Sequence, residues 1–171
     1  LATMLSAGKN IIMERFDPEL AAKLIDNEKG TIIFNFSPIL SMILEKYEAG
    51  TYDFSSLKHV TGLDIPETIT KFLKTAPNAT YYTGFGQTEA MGVTSCPMAE
   101  KPGSAGKPAL LAQVRLFDDY DAEVPVCTPG EICVRSPTVF IGYWGCEKDT
   151  AYSFRNGWHH TGDIGQFDED G

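Results

Sequence analysis

The chain has 171 residues, of which 43% are hydrophobic and 22% charged, a composition typical of soluble globular proteins. Its net charge of −9 argues against nucleic acid as a partner, since binding nucleic acid requires clustered Lys and Arg. No apolar run is long enough to span a membrane, so we expect no transmembrane segment. Cysteines without close pairing and the lack of a secretory signal predict a cytoplasmic protein.

The first part of the chain shows alternating helix and strand patterns. Asp17 as a capping residue and Pro18 at the first helical position predict a helix that ends before Gly30. The β-branched and aromatic run "TIIFNF" (31–36) predicts a buried strand, and a second helix is predicted to start near Pro38.

Two more strands are predicted before residue 100. They are "LKHV" (57–60) and "ATYY" (79–82), separated by a helix that Asp64 and Glu67 would open as a capping box. Strands and helices that alternate at this spacing predict an α/β fold with a largely parallel sheet over residues 1–100. Ligands of such sheets bind beyond the carboxyl ends of the strands.

The pattern changes after about residue 100. Short strands are predicted at 113–117, 131–136 and 158–167, separated by turns rich in Gly, Pro and Asp. The segment "EKDTAYSF" (147–154) predicts at most a turn or two of helix. We therefore expect residues 101–171 to form a small antiparallel, barrel-like β subdomain.

The cysteines and the chain ends add further expectations. The four cysteines are not closely paired, which predicts reduced thiols and gives no sign of a zinc site. The chain begins without an initiator Met or a signal peptide and stops at a turn sequence, so we expect a piece of a longer protein.

The segment "YYTGFGQTEAMG" (81–92) follows a predicted strand and carries candidate chemistry. A dinucleotide-binding turn would need a third glycine where Glu89 stands, and the carboxylate would repel a pyrophosphate. The glycines free backbone N–H groups, the Thr88 hydroxyl can donate to a phosphate oxygen, and a carboxylate suits Mg²⁺. This pattern predicts a phosphate and magnesium site, the alternative being a plain turn with a solvated Glu89.

Three further motifs follow in order: "GSAGKP" (103–108), "PGEICVRSPTVFIGYW" (129–144) and "NGWHHTGDIGQFDEDG" (156–171). "GFGQTEA" is similar to an aromatic-Gly-x-Thr-Glu motif, and "GWHHTGDIG" to a Trp-x-x-Thr-Gly-Asp motif. On these motifs the chain resembles, essentially end to end, the adenylate-forming superfamily. That superfamily includes acyl-CoA synthetases, peptide-synthetase adenylation domains and beetle luciferases.

The resemblance implies roles in binding ATP or AMP. Phe85 would lie against the adenine ring, and Asp163 would accept hydrogen bonds from both ribose hydroxyls. Thr88 would contact the α-phosphate and Glu89 would bind Mg²⁺, which makes these two the implied catalytic residues. Thr83 replaces an Asn or Asp common at that position, so the adenine contact there would use the backbone. The remaining implied nucleotide-binding residues are Gly62, Leu63, Asp64, Gly84 and Gly86.

An acyl pocket is implied at another strand end. Phe34, Asn35 and Phe36 would line this pocket, and Gly84 would leave room for the substrate. Ordinary core packing is the alternative for the two phenylalanines.

The implied reaction joins a small-molecule carboxylic acid, a fatty acid or another acyl acid, to ATP, giving an acyl-adenylate and pyrophosphate. Transfer to coenzyme A would follow. The family's lysine-bearing phosphate loop and its C-terminal domain have no match here, so we expect the isolated piece to be inactive. Two alternatives stay open: an acyl-AMP ligase or adenylation domain that loads a carrier-protein thiol, and a non-catalytic adenine-nucleotide-binding module.

The histidines are predicted to be structural. His159 and His160 are adjacent, so in a strand their rings point to opposite faces and cannot share one metal ion. We predict structural or rim positions for both, and for His59.

Overall fold

The computed structural model describes residues 2–171, which form two compact units, 2–82 and 83–171. The elements, in chain order, are α1 (Ala2–Leu5), α2 (Pro18–Asn27), β1 (Ile32–Phe36), α3 (Ile39–Ala49), β2 (His59–Leu63), α4 (Pro66–Thr75), β3 (Thr80–Gln87), β4 (Ala90–Pro97), β5 (Lys107–Pro108), β6 (Gln113–Phe117), β7 (Gly130–Arg135), α5 (Glu147–Ser153), β8 (Phe154–Arg155) and β9 (Trp158–Gly165). None of the helices in this described part is long and apolar enough to cross a membrane. The subdomain boundary expected after residue 100 stays a prediction.

Helix α2 begins where the sequence predicts. The Asp17 carboxylate accepts a hydrogen bond from the Leu20 N–H at 2.7 Å, and Pro18 occupies the first turn. A capping side chain satisfies an N–H that has no partner within the helix, which stabilises the start by about 1 kcal/mol. The apolar face of α2 buries Ala22 and Ile25, and α2 packs against α3.

The sheet of the first unit is parallel. Strand β1 pairs with β2 along its whole length, and β2 pairs with the first residues of β3. This register places Asn35 opposite Gly62 and Phe36 opposite Leu63. The predicted α/β class with parallel strands is confirmed. The apolar core of this unit is formed by Ala22, Leu40, Ile43, Leu44, Phe54, Leu57, Val60, Ile69, Phe72, Ala76 and Tyr81.

The capping box predicted for α4 is wrong. Ile65 is the residue that precedes the helix, and no side chain caps the first turn. The Asp64 carboxylate instead accepts from the adjacent Ile65 N–H at 2.9 Å. Pro66 explains the difference, because a proline disfavours helical geometry at the residue before it, and the helix then starts at the proline itself.

The second unit is rich in antiparallel strands. Strand β4 pairs with β5, and a four-stranded sheet has the order β6-β7-β9-β8. The three strands predicted after residue 100 and the short helix α5 are all present. Strand β4 was not predicted, because "AMGVTSCP" mixes small and polar residues without a clear alternation. A cluster of Ala90, Val93, Val114 and Val134 forms the core, with Phe85, Ile132, Val139 and Phe167 packed against it.

Gly62 stands where β1 and β2 approach too closely for a side chain. A Cβ at this position would lie 1.9 Å from the Asn35 carbonyl oxygen and 2.9 Å from its Oδ1. Since the obstacle is mainly backbone, a rotamer change cannot relieve it. The glycine is therefore needed for the pairing of these two strands.

We predict that Gly62→Ala destabilises the protein by about 1–3 kcal/mol, because the strands must separate to admit the methyl group. Urea unfolding followed by circular dichroism measures the change. Gly30→Ala is the matched control, since a Cβ at Gly30 meets its nearest neighbour, the Ile25 Cα, at an ordinary 3.6 Å. Equal stability of the two variants would contradict the prediction.

Candidate functional site

The loop that carries the first motif is a tight hairpin between β3 and β4. Thr88 and Glu89 form the turn, and strand β4 begins at Ala90, so no helix N-terminus follows the glycines. A Cβ at Gly84 would lie 2.4 Å from the Thr94 carbonyl oxygen. The absence of a side chain at Gly84 is thus required by strand β4 itself, and its role in an acyl pocket stays a prediction.

Glu89 is held in place from a distant segment. Its Oε1 accepts a hydrogen bond from the Tyr143 hydroxyl at 2.9 Å, and its backbone carbonyl accepts from the Phe140 N–H at 2.8 Å. The hydrogen bond to Glu89 raises the pKa of Tyr143, so the phenol keeps its proton at neutral pH. Thr88, its neighbour in the turn, is exposed.

Phe85 and Asp163 line the same cavity of about 910 Å³, which lies within the second unit. Phe85 also packs against the apolar cluster around Val114, and its N–H donates to Thr94 Oγ1 at 2.9 Å. The volume lies in the range of small-molecule sites. Thr88 and Glu89 are not among the residues that line this cavity. The structure thus places Phe85 and Asp163 at one cavity and leaves Thr88 and Glu89 outside its lining.

The part of β9 around Asp163, where its pairing with β7 shifts register, is held by hydrogen bonds along its backbone. The Gly162 N–H donates to Glu131 Oε1 at 2.9 Å, and the Asp163 N–H donates to Thr161 Oγ1 at 3.2 Å. The Thr161 hydroxyl donates in turn to the Ile132 carbonyl at 2.7 Å. This anchoring leaves the Asp163 side chain exposed to solvent, where a ligand can reach it.

Gln87 connects the hairpin to this part of β9. Its Nε2 lies 3.2 Å from Asp163 Oδ2 and 3.2 Å from the Thr161 carbonyl oxygen. Its Oε1 lies 3.0 Å from Nε2 of His159. The two motifs of the sequence that contain Gln87 and Asp163 therefore meet in this unit.

His159 and His160 are buried and contact different groups. His159 is 2% exposed and packs against the rings of Phe140 and Phe154 at 5.4 and 5.5 Å. Burial lowers the pKa of His159, which favours the neutral ring. Because His159 and His160 are both buried, a structural role suits them and a position at the rim of a site does not.

His160 belongs to a small polar cluster in the core. Its Nδ1 lies 2.8 Å from Glu131 Oε2 and 3.2 Å from Cys133 Sγ. These three side chains have the proximity of metal ligands, although the sequence spacing gave no sign of it. Arg155 also donates to Glu131 Oε2 at 2.8 Å, and burial raises the pKa of Cys133 to about 12. A guanidinium partner and a protonated thiol favour a hydrogen-bonded structural cluster over a cation site.

The other residues that the resemblance assigns to nucleotide binding make different contacts. The Thr83 hydroxyl donates to the Ser104 carbonyl oxygen at 2.9 Å. Gly86 faces β4, since a Cβ there would lie 3.0 Å from the Gly92 N. Leu63 is 51% exposed and lies at the carboxyl end of β2. Its carbonyl oxygen accepts from the Ser37 N–H at 2.9 Å.

The implied pocket residues of the first unit divide into two kinds. Phe34 and Phe36 are 62% and 50% exposed, with ring centroids 5.1 Å apart and nearly perpendicular, so they are not part of the core of this unit. Asn35 is 1% exposed, and its Nδ2 makes no hydrogen bond to any group of residues 2–171. Two exposed aromatic rings at the end of a parallel strand suit a ligand-facing position.

Sequence reasoning missed Tyr143, Gln87 and Glu131. Each of these residues lies inside one of the motifs, so its position could have marked it as a candidate. The group that its side chain contacts, however, depends on the fold. Tyr143 reaches Glu89 across 54 positions of sequence, and Gln87 reaches Asp163 across 76.

Comparison with known proteins identifies one family and relatives within it. Residues 1–144 match the family model described as AMP-binding enzyme. The chain is 33% identical over 178 aligned positions to a feruloyl-CoA synthase from an Amycolatopsis species, which covers 100% of this chain and 36% of that protein. This chain thus spans about a third of the length of that curated relative.

Two solved structures have similar folds. A candidate long-chain-fatty-acid CoA ligase from Rhodopseudomonas palustris CGA009 is 46% identical, with a TM-score of 0.86 over 92% of this chain and 40% of the other. A long-chain-fatty-acid–CoA ligase from Archaeoglobus fulgidus is 27% identical, with a TM-score of 0.88 over 99% of this chain and 38% of the other.

We predict that His159 makes stability depend on pH. The unfolded ring titrates near its ordinary pKa of about 6.5, whereas burial lowers the pKa in the folded state. The unfolded chain therefore binds the proton first as pH falls. The contribution of His159 is fully present above about pH 6.5 and is lost below it, by at most about 1.4 kcal/mol at pH 5.5.

Urea unfolding at pH 7.5 and 5.5 tests this prediction with His159→Gln, which retains an N–H donor for Gln87. The variant should lose less stability between the two pH values than the wild type. His59→Gln is the control, because His59 is exposed and should leave the pH dependence unchanged. Identical pH dependence of all three proteins would show that His159 does not contribute.

Proposed function

Because this chain belongs to the AMP-binding enzyme family, we propose that it supplies the nucleotide-binding part of an ATP-dependent ligase that activates a carboxylic acid. The observation that carries the proposal is the hydrogen bond of 3.2 Å between Gln87 and Asp163, which brings the hairpin motif to the proposed ribose-binding carboxylate. The names of the relatives, CoA ligases and a CoA synthase, support coenzyme A as the acceptor.

In the proposed reaction, a carboxylate oxygen of the substrate attacks the α-phosphorus of ATP. Pyrophosphate leaves with the electrons of the broken P–O bond, and an acyl-adenylate is formed. The thiol of coenzyme A then attacks the acyl carbon, AMP leaves as its phosphate, and the thiol proton is released. The nucleophile is the substrate's own carboxylate, so the residues of this chain bind and orient reactants.

Each proposed contact uses a side chain of suitable chemistry. The Asp163 carboxylate can accept from two ribose hydroxyls, because both of its oxygens have free lone pairs for neutral donors. The Phe85 ring offers an apolar face to adenine, and its place in the wall of the cavity supports this assignment. Thr88 is exposed in the turn, where its hydroxyl can donate to the α-phosphate.

The residues present fit a magnesium ion at Glu89. Magnesium binds through one or two carboxylates together with substrate phosphates, and Glu89 offers a carboxylate beside the proposed phosphate contact of Thr88. When bound, the ion would neutralise charge on the phosphate oxygens. The hydrogen bond from Tyr143 fixes the rotamer of Glu89.

The substrate class we propose is a small-molecule carboxylic acid, bound near Phe34, Asn35 and Phe36. Exposure of the two rings at the end of β1 supports this position. A carrier-protein thiol as acceptor, binding of nucleotide without catalysis, inactivity of the isolated chain and a cytoplasmic location stay predictions.

We predict that Asp163→Asn raises the KM for ATP by about tenfold or more, since an amide replaces one acceptor oxygen with a donor. The KM for the carboxylic acid should change little. Pyrophosphate release by the full-length enzyme measures both constants. Asp119→Asn is the control, because Asp119 is an exposed acid outside the cavity. An unchanged KM for ATP would refute the assignment of Asp163.

We predict that Glu89→Gln increases the Mg²⁺ concentration required for half-maximal activity by about tenfold, because a neutral amide is a weaker ligand than a carboxylate. The Tyr143 hydroxyl can still donate to the amide oxygen, so local structure should persist. A magnesium titration at saturating ATP gives the value. A variant with the wild-type magnesium requirement would exclude Glu89 as a ligand.

A further inference from the structure

Gln87 has no role in the proposed reaction, yet its side chain contacts three other groups. It is the last residue of β3, and its carboxamide lies among Thr161, Asp163 and His159. These residues belong to β9. The primary amide of Gln87 offers both a donor group and an acceptor oxygen at the end of its side chain.

The orientation of the Gln87 amide follows from its neighbours. The Thr161 carbonyl oxygen and the Asp163 carboxylate can only accept hydrogen bonds, so the NH₂ group must face them. The carbonyl oxygen Oε1 then faces His159 Nε2 at 3.0 Å and needs a donor there. Nε2 of His159 must therefore carry the proton.

His159 is placed to hold this orientation. Its ring is 2% exposed and packs against Phe140 and Phe154, so it has little freedom to turn. Its Nδ1 makes no hydrogen bond within the described residues 2–171. The bond to Gln87 is thus the polar contact of a buried ring, and a buried donor left unpaired would cost about 1–3 kcal/mol.

The Asp163 carboxylate depends on Gln87 for its direction. Contacts with Glu131 and Thr161 fix the backbone of this part of β9, but they do not reach the carboxylate. Among residues 2–171, the hydrogen bond to that carboxylate comes from Gln87 Nε2. Oδ2 still has a lone pair for a second donor, and Oδ1 has both of its own, so a vicinal diol can bind.

We propose that Gln87, oriented by His159, is a positioning residue that directs the Asp163 carboxylate at the two ribose hydroxyls of the nucleotide; this inference rests on the proposed function. A preset carboxylate binds a diol without first losing rotamer freedom. Glutamate at position 87 would place a negative charge beside Asp163, and an apolar residue would leave the carboxylate free to rotate.

The test compares ATP with 2′,3′-dideoxy-ATP in the full-length enzyme. For Gln87→Met, which has similar length and no hydrogen bonds, we expect the KM for ATP to rise about tenfold with kcat little changed. With dideoxy-ATP, which lacks both hydroxyls, the variant and the wild type should have the same KM. Gln87→Glu should raise the KM for ATP further.

Two companion variants separate positioning from simple structure. His159→Gln retains a donor for Gln87 and should keep the KM for ATP near the wild-type value, whereas His159→Leu should resemble Gln87→Met. If His159→Leu does not fold, Gln87→Met and His159→Gln suffice. A KM increase that is the same for ATP and dideoxy-ATP, or no increase for ATP, would overturn the inference.

The same experiment distinguishes this failure from failure of the proposed function. A wild-type enzyme that does not use ATP would refute the proposed function. A wild-type enzyme that uses ATP and dideoxy-ATP with equal KM would refute the ribose contact of Asp163, and the positioning role with it.

Discussion

Two adjacent histidines buried in one strand impose a requirement that organises the second unit. A buried ring nitrogen without a partner costs free energy, so His159 and His160 each need a polar neighbour. His159 finds it in Gln87, and His160 finds it in Glu131. Both partners also contact residues 161–163 of β9: Gln87 donates to the Asp163 carboxylate, and Glu131 accepts from the Gly162 N–H. Hydrogen bonds thus connect the two buried histidines of the core to the candidate ligand site around Asp163.

The elements could be predicted from the sequence where local patterns decide the structure. The start of α2 follows from Asp17 and Pro18, whose effects act within one turn. The start of α4 could not be placed from a capping pattern alone, because the restriction that Pro66 puts on Ile65 overrides the pairing of Asp64 with a later Glu. Strand β4 could not be predicted, because its sequence has no hydrophobic alternation. It is a strand through its pairing with its neighbours.

The candidate site could be predicted only as a set of motifs. Residue types indicated a phosphate and magnesium site at Thr88 and Glu89, and the family resemblance implied the ribose contact of Asp163. The partners that orient them could not be found in that way. Tyr143 and Gln87 act across 54 and 76 positions, and such contacts depend on strand register and side-chain direction. The position of Gly84 beside β4 also depends on the fold, since a Cβ there would lie 2.4 Å from the Thr94 carbonyl oxygen.

The hydrogen bond between Tyr143 and Glu89 has a consequence for how an ion would arrive. A free glutamate loses up to about 2 kcal/mol of rotamer entropy when it is ordered, and here that ordering accompanies folding. An incoming cation would meet a carboxylate that is already oriented, with Oε2 and the second lone pair of Oε1 available to bind it. Binding at Glu89 would then leave the hydrogen bond from the Tyr143 hydroxyl in place, so the cost of ordering the side chain would not be met a second time.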